Sequence, residues 1–142
     1  MTLSKVAVVY WSSTGNTEAM ANAVLEGAKL AGADADLFTA SEFDATKVDD
    51  YDAIAFGCPA MGAEELDDTE FDPMFTAVEP LIKYKKVALF GSYGWGDGQW
   101  MRDWVERCKS NGINLINEGL MANEGPSDAD IANCKALGAS LN

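Results

Sequence analysis

A short run of hydroxyl-bearing and small residues is the first stretch of this chain whose residue types could do chemistry. It consists of Ser12, Ser13, Thr14, Gly15, Asn16 and Thr17. An apolar run typical of a buried strand precedes it at residues 6–11. Residues 18–31 follow it, with small and apolar residues at helical spacing. The stretch is therefore predicted to be a turn that connects a strand to a helix.

Such a turn is suited to bind an anion. A helix N-terminus carries unpaired backbone N–H groups and the positive end of the helix dipole, and the hydroxyls of Ser12, Thr14 and Thr17 can add donors. The run contains no Lys or Arg and does not match the nucleotide-triphosphate loop, so we expect a phosphate held by neutral donors. The alternative is that these residues only cap the helix.

Two later loops, at residues 59–66 and 91–98, combine small residues with a side chain that could contact a flat ligand. Met61 stands beside Ala60 and Gly62, and Trp95 stands between Gly94 and Gly96. An aromatic ring between Met61 and Trp95 would gain about 0.5–1.5 kcal/mol per contact beyond burial. A phosphate site together with a planar pocket predicts flavin mononucleotide (FMN). Met61 as core filler and Trp95 as a surface residue are the alternatives.

Composition limits the classes of partner. The 142 residues, expected to form one domain over 1–142, contain 23 acidic and 10 basic residues, for a net charge of −13. Nucleic acid and anionic membranes require a basic surface, so neither is expected as a partner, whereas basic protein surfaces are. No basic residue occurs between Lys47 and Lys83, which is compatible with partner docking or with a solvated surface. The lack of a signal pattern or an apolar span predicts a cytoplasmic protein.

The residue types for several other chemistries are missing from the sequence. The chain has no His and three widely spaced Cys at 58, 108 and 134. Disulfide frameworks, zinc sites and acid–base hydrolysis are therefore poorly supported. We expect the three cysteines to be small buried hydrophobic residues. Redox chemistry on a bound cofactor requires none of these groups.

Strands and helices are predicted to alternate. The predicted strands occupy residues 6–11, 35–40, 53–58, 86–90 and 113–121. Helices follow, with Asp72 as the expected N-cap before Pro73, a break at Pro80, and a capping box from Ser127 to Asp130. This order predicts an α/β three-layer sandwich around a five-stranded parallel sheet. Ligands of such folds bind at the carboxyl ends of the strands, where the three loops would meet.

Three segments, 10–20, 57–65 and 90–98, resemble the flavodoxins, specifically the short-chain clostridial type. The resemblance covers the whole chain and implies a flavodoxin-like sheet of order 2-1-3-4-5 with bound FMN. It implies that the FMN phosphate lies on residues 12–17, with Met61 and Trp95 on the two ring faces. The implied ring contacts come from Ala60, Met61, Gly62, Ala63, Glu64, Ser92, Tyr93, Gly94, Trp95 and Gly96. Among these, Glu64 would accept a hydrogen bond from flavin N3–H.

Two positions depart from the pattern associated with this group. Pro59 stands where a serine can assist the phosphate, and Ala63 stands where a polar residue or glycine is expected. The resemblance also implies that a peptide carbonyl, here that joining Gly62 and Ala63, turns toward flavin N5 after one-electron reduction. Because Ala63 is costly in left-handed geometry, we expect the turn from Met61 to Glu64 to favour positive φ at Gly62.

The predicted function is that of a low-potential, one-electron carrier, and not that of an enzyme. FMN would carry electrons between redox proteins with basic docking surfaces, and the protein would be a monomer. The high negative charge would disfavour the second electron and lower that potential. An FMN reductase acting on quinones or azo compounds is the alternative, but it requires a pocket for a second substrate. A receiver module is excluded, because Ser12–Ser13 and Cys58–Pro59 replace its acidic cluster and its phospho-accepting Asp.

Overall fold

The computed structural model describes residues 4–62, 64–94 and 96–142. Five strands form one parallel sheet in the order β2-β1-β3-β4-β5. They are β1 (Lys5–Tyr10), β2 (Asp34–Thr39), β3 (Ala53–Gly57), β4 (Lys86–Tyr93) and β5 (Leu120–Asn123). The predicted sheet order is confirmed.

Helices cover both faces of the sheet. They are α1 (Asn16–Leu30), α2 (Phe71–Val78), α3 (Gln99–Ser110) and α4 (Asp128–Ser140). Alternate residues of β1 separate two cores: Val6 and Val8 pack with α1 and α4, whereas Ala7 and Val9 pack with α2 and α3. Side chains of the central strands are buried on both faces, which explains their continuous apolar sequence. The predicted three-layer sandwich is therefore confirmed.

The fifth strand was predicted to begin too early. It begins at Leu120 and not at Ile113, although the preceding chain already runs beside β4. The Asn117 side chain replaces the backbone in this pairing, because its Oδ1 accepts from Leu89 N at 3.1 Å and its Nδ2 donates to Leu89 O at 3.0 Å. The regular ladder is interrupted there and resumes at Leu120.

The start of α2 also differs from its prediction, whereas the break at Pro80 is confirmed. Asp72 is not the N-cap, because the helix begins at Phe71. The carboxylate of Asp67, 5 % exposed, accepts instead from Glu70 N at 2.8 Å and Phe71 N at 2.9 Å. Burial opposes its ionisation, but these bonds and the Thr69 hydroxyl outweigh that effect and lower the pKa of Asp67. After Val78, a 3₁₀ turn at Glu79–Leu81 replaces the α-helix. The predicted capping box of α4 is present.

Asp67→Asn is expected to destabilise the fold by about 1–3 kcal/mol at neutral pH, because a charged acceptor is lost at a buried site. A carboxylate with a lowered folded pKa stabilises the protein above its unfolded pKa, and this contribution disappears as pH falls through the folded pKa. Urea unfolding of both proteins at pH 7 and pH 3 tests this, since the difference should shrink at pH 3. A difference that is the same at both pH values would contradict the role of the ionised carboxylate.

Candidate functional site

The turn between β1 and α1 keeps a set of backbone donors free. Gly15, at φ +96°, precedes the first residue of α1, and the Ser12 hydroxyl accepts from Gly15 N at 3.1 Å and Glu18 N at 3.3 Å. Four neighbouring backbone N–H groups find no acceptor within the described part of the chain: those of Ser13, Thr14, Asn16 and Thr17. These donors fit a phosphate, and the positive end of the α1 dipole adds to them.

The Thr17 hydroxyl, a predicted phosphate donor, also has a hydrogen-bond partner within the protein. Its side chain is buried, and its Oγ1 lies 2.7 Å from the Oγ of Ser92 on β4. This bond joins the loop at residues 12–17 to the strand that leads into the loop at residues 91–98. Where Ser92 donates, the proton of Thr17 is left for an anion.

A cavity of about 330 Å³ lies on one side of the turn. Its lining residues are Tyr10, Trp11, Ser12, Ser13, Gly15, Glu18, Thr39, Ala40, Ser41 and Glu70. The Tyr10 hydroxyl donates to Glu18 Oε2 at 2.9 Å, and burial followed by this bond raises the pKa of Tyr10. Glu18 and Glu70 place two carboxylates in the wall, whereas Ser12, Ser13 and Gly15 bring the phosphate turn to the same cavity. An anion is therefore placed at the free backbone donors of the turn and not beside the two carboxylates.

Backbone hydrogen bonds between Met61 and Glu65 close the loop after β3, whereas the expected turn ended at Glu64. Met61 N donates to Glu65 O at 2.8 Å and Glu65 N donates to Met61 O at 2.9 Å. Gly62 has φ +47°, as expected, and Glu64 has φ +55°. Ala63 lies outside the described residues, and the predicted turning of the peptide that joins Gly62 and Ala63 involves this residue. A left-handed Glu costs about 1–2 kcal/mol, and such strain is concentrated at functional sites.

The structure brings Glu64 beside the loop that follows β4. Glu64 Oε1 accepts from Gln99 N at 3.2 Å, at the N-terminus of α3. A Cβ built on Gly96, which has φ +90°, would lie 2.5 Å from the same oxygen. Ala60 N donates to Ser92 O at 3.0 Å and joins the two loops a second time. The loops at residues 59–66 and 91–98 therefore converge, as the sequence predicted.

A fourth segment, residues 122–125, meets these loops, although no contact was predicted for it. Glu124 N donates to Tyr93 O at 2.6 Å, and Glu124 has φ +58°. A Cβ on Gly125 would lie 3.8 Å from Asn16 Oδ1, so this segment also approaches the turn before α1. Tyr93 packs on Trp100 with ring centroids 5.4 Å apart, and Gly94 is exposed. Trp95, the predicted outer ring contact, lies outside the described residues.

The other groups capable of chemistry are inert in this fold. All three cysteines are buried, and burial raises the pKa of Cys108 and Cys134 to about 12. Burial also raises the pKa of Cys58, whose Sγ accepts from Asp67 N at 3.4 Å.

The described residues contain no cluster of ligands that could hold a metal ion. None of the described helices has the length and apolarity needed to cross a membrane.

Comparison with known proteins identifies the family. The family model described as Flavodoxin matches residues 8–138. The chain belongs to the flavodoxin family. The flavodoxin of Megasphaera elsdenii is 49% identical over 136 residues, which cover 94% of this chain and 95% of that protein. The flavodoxin of Clostridium beijerinckii is 42% identical over 123 residues, with coverages of 87% and 89%.

A solved flavodoxin has the same fold. The solution structure of two-electron reduced Megasphaera elsdenii flavodoxin superposes with a TM-score of 0.88 at 46% identity, covering 96% of this chain and 97% of that one. Flavodoxins carry FMN and transfer electrons between redox proteins, and this chain is accordingly an electron carrier and not an enzyme. The predicted family, cofactor and function are confirmed.

Proposed function

We propose that the FMN phosphate lies on the turn at residues 12–17 and that the ring lies between Met61 and Trp95. The observation that carries this proposal is the set of free backbone N–H groups beside Ser12. When bound, FMN supplies the one-electron chemistry. The protein residues hold the phosphate, cover the ring and set the charge around it. Titration of the FMN-free protein with FMN tests the proposal, with one equivalent bound as the expected result.

The protein is proposed to make the FMN potential low through charge. The phosphate turn contains no Lys or Arg, and Glu64 adds a carboxylate at the proposed ring edge. The whole chain carries a net charge of −13. Each added electron therefore meets negative charge, and the phosphate turn offers no basic residue to offset it. A monomer with basic redox partners and a cytoplasmic location remain predictions.

Trp95→Ala is expected to loosen the bound flavin and expose its ring, because one stacking face is removed. Flavin fluorescence should be quenched less on binding, and the dissociation constant of FMN should rise by roughly tenfold for about 1.5 kcal/mol of lost stacking. Fluorescence titration measures both quantities. Trp11→Phe, which keeps an aromatic ring outside the proposed ring site, is the control. Unchanged quenching and affinity in the Trp95 variant would place this residue away from the ring.

Gly62→Ala is expected to change the gap between the two flavin potentials. Gly62 has φ +47°, a conformation that costs alanine about 1–2 kcal/mol. If the loop changes conformation with the redox state, the substitution alters the relative energies of its conformations. A cost of about 1 kcal/mol corresponds to about 40 mV for one electron. The two potentials are measured at fixed pH, with Ala63→Gly as the opposite substitution. If neither variant moves the gap, the redox-linked switch does not operate in this loop.

A further inference from the structure

The acidic side chain in the first turn of α1 does not contact the backbone at the start of the helix. Glu18 is the third residue of α1, after the N-cap Gly15. A carboxylate at this position can reach back and accept a hydrogen bond from the N-cap N–H, in the arrangement called a capping box. In α1 the N–H of Gly15 donates to the Ser12 hydroxyl instead, at 3.1 Å. The Glu18 carboxylate is therefore left without this backbone partner.

Two other helical turns of the same chain do form the capping-box contact. Glu42 Oε1 accepts from Thr39 N, and Asp130 Oδ2 accepts from Ser127 N, at 2.9 Å each. In both turns the acidic residue stands three positions after the N-cap, which is also the position of Glu18 in α1. Helix geometry therefore allows the Glu18 carboxylate to reach the N-terminus of α1.

Tyr10 holds the Glu18 carboxylate away from that N-terminus. Its hydroxyl donates to Glu18 Oε2 at 2.9 Å, and both residues line the cavity beside the turn. Tyr10 ends β1 and is 8 % exposed, and its ring packs in the core with α1 and α4, which fixes the position of the hydroxyl. Within the described part of the chain, the Glu18 carboxylate has no other hydrogen bond and no ion pair. The bond from Tyr10 therefore determines where this carboxylate lies.

We propose that Tyr10 is a positioning residue, which holds the Glu18 carboxylate aside and so leaves the turn at residues 12–17 open to the FMN phosphate. Without the tyrosine hydroxyl, the carboxylate is free to turn toward the start of α1, where the N–H groups of Asn16 and Thr17 have no acceptor in the described chain. It then competes for these donors and brings a negative charge toward the phosphate. This inference rests on the proposed function, since it takes the phosphate to lie on this turn.

A double-mutant cycle between Tyr10 and Glu18 tests this role. Tyr10→Phe, which keeps the buried ring and removes the hydroxyl, is made in the parent chain and in a Glu18→Ala chain. Dissociation constants of FMN and of riboflavin are measured by fluorescence titration of the FMN-free proteins, after their melting temperatures have been compared. Tyr51→Phe is the matched control. The Tyr51 hydroxyl also donates to a carboxylate, Asp36 Oδ2 at 2.7 Å, but Tyr51 stands two residues before β3, at the other end of the sheet.

In the parent chain, Tyr10→Phe is expected to raise the dissociation constant of FMN by about fivefold or more and that of riboflavin by less than about twofold. In the Glu18→Ala chain the same substitution should change neither constant by more than about twofold, because no carboxylate is left to move. The control should leave both constants unchanged. A loss of FMN affinity that persists in the Glu18→Ala chain, an equal loss for riboflavin, or no loss would overturn the proposal.

Thr14→Ala, measured in the same way, separates a failure of this inference from a failure of the proposed function. If the phosphate lies on the turn, Thr14→Ala weakens FMN binding more than riboflavin binding, whatever Tyr10 does. Such a selective loss together with unchanged affinities in Tyr10→Phe would reject the role of Tyr10 alone. Effects of Thr14→Ala that are equal for FMN and riboflavin would reject the phosphate site itself.

Discussion

Replacing Ser12 and Thr14 together by alanine is expected to weaken FMN binding by two orders of magnitude or more, while riboflavin binding changes little. Each hydroxyl that donates to a phosphate dianion contributes about 1.5–3 kcal/mol. Two such bonds correspond to roughly two to four decades in the dissociation constant. Riboflavin has no phosphate, so its binding does not depend on these donors.

The Ser12 hydroxyl also holds the shape of the turn. It accepts from Gly15 N and Glu18 N, so its loss also releases two backbone groups that shape the turn. Part of the loss in affinity would then come from a less ordered site. Thr14→Ala alone removes a hydroxyl that accepts no backbone hydrogen bond in the described chain. This variant therefore separates the loss of a phosphate donor from the loss of order in the turn. Melting temperatures of the FMN-free variants show whether the fold itself is intact.

Fluorescence titration of FMN-free protein with FMN and with riboflavin gives the affinities. Ser110→Ala is the matched control, because it removes an exposed hydroxyl of α3 that contacts only Glu106 in the described structure. This control should leave both affinities unchanged. Equal losses of FMN and riboflavin in the Ser12 and Thr14 variant would show that the phosphate does not lie on this turn.

The sequence predicted the layers because apolar runs alternate with helical patterns, and its resemblance to the flavodoxins implied the strand order. It placed β5 wrongly because the apolar residues at 113–116 do run beside β4, where Val87 N donates to Asn114 O and Ile116 N donates to Val87 O. The interruption comes from the Asn117 side chain, which imitates a backbone unit against Leu89. Periodicity reports which residues are buried, but it does not report whether a side chain replaces a peptide in the ladder.

The start of α2 was misplaced for a related reason. Asp72 followed by Pro73 is a local signal for a helix start, and it competes with Asp67, whose carboxylate reaches Glu70 N and Phe71 N. Local rules favour the residue directly before proline. The folded chain instead uses an earlier carboxylate that is buried with Phe71 against the core.

The candidate site was predictable to the extent that its residue types are local. A hydroxyl-rich turn and two glycine-containing loops at strand ends can be recognised without a structure. The bond from Thr17 to Ser92 joins residues 75 positions apart, and the contact from Glu124 to Tyr93 comes from a segment with no distinctive composition. Such contacts depend on strand order and on loop shape, which the residue types alone do not specify.

Gly27→Ala and Gly138→Ala are each expected to lower the stability of the fold by about 3 kcal/mol or more, although helix propensity alone favours alanine by about 1 kcal/mol. A Cβ on Gly27 would lie 1.9 Å from the carbonyl oxygen of Lys135, and one on Gly138 would lie 1.9 Å from that of Val24. Since both obstacles are backbone atoms, α1 and α4 must move apart, which loosens the core between them.

For a chain of 142 residues, a loss of about 3 kcal/mol corresponds to a fall of roughly 10 °C in the melting temperature. Gly94→Ala is the control for the melting temperature alone, because a Cβ there meets nothing within 4 Å and φ is not positive, whereas Gly94 belongs to the proposed ring contacts and is no control for FMN affinity. FMN affinity should fall as well in the Gly27 and Gly138 variants, since α1 carries the proposed phosphate donors at its N-terminus and cannot shift without moving them. A melting temperature within about 2 °C of the parent would mean that the two helices separate at little cost. In that case the position of α1, and with it the phosphate turn, would be held mainly by β1 and by the Thr17–Ser92 bond.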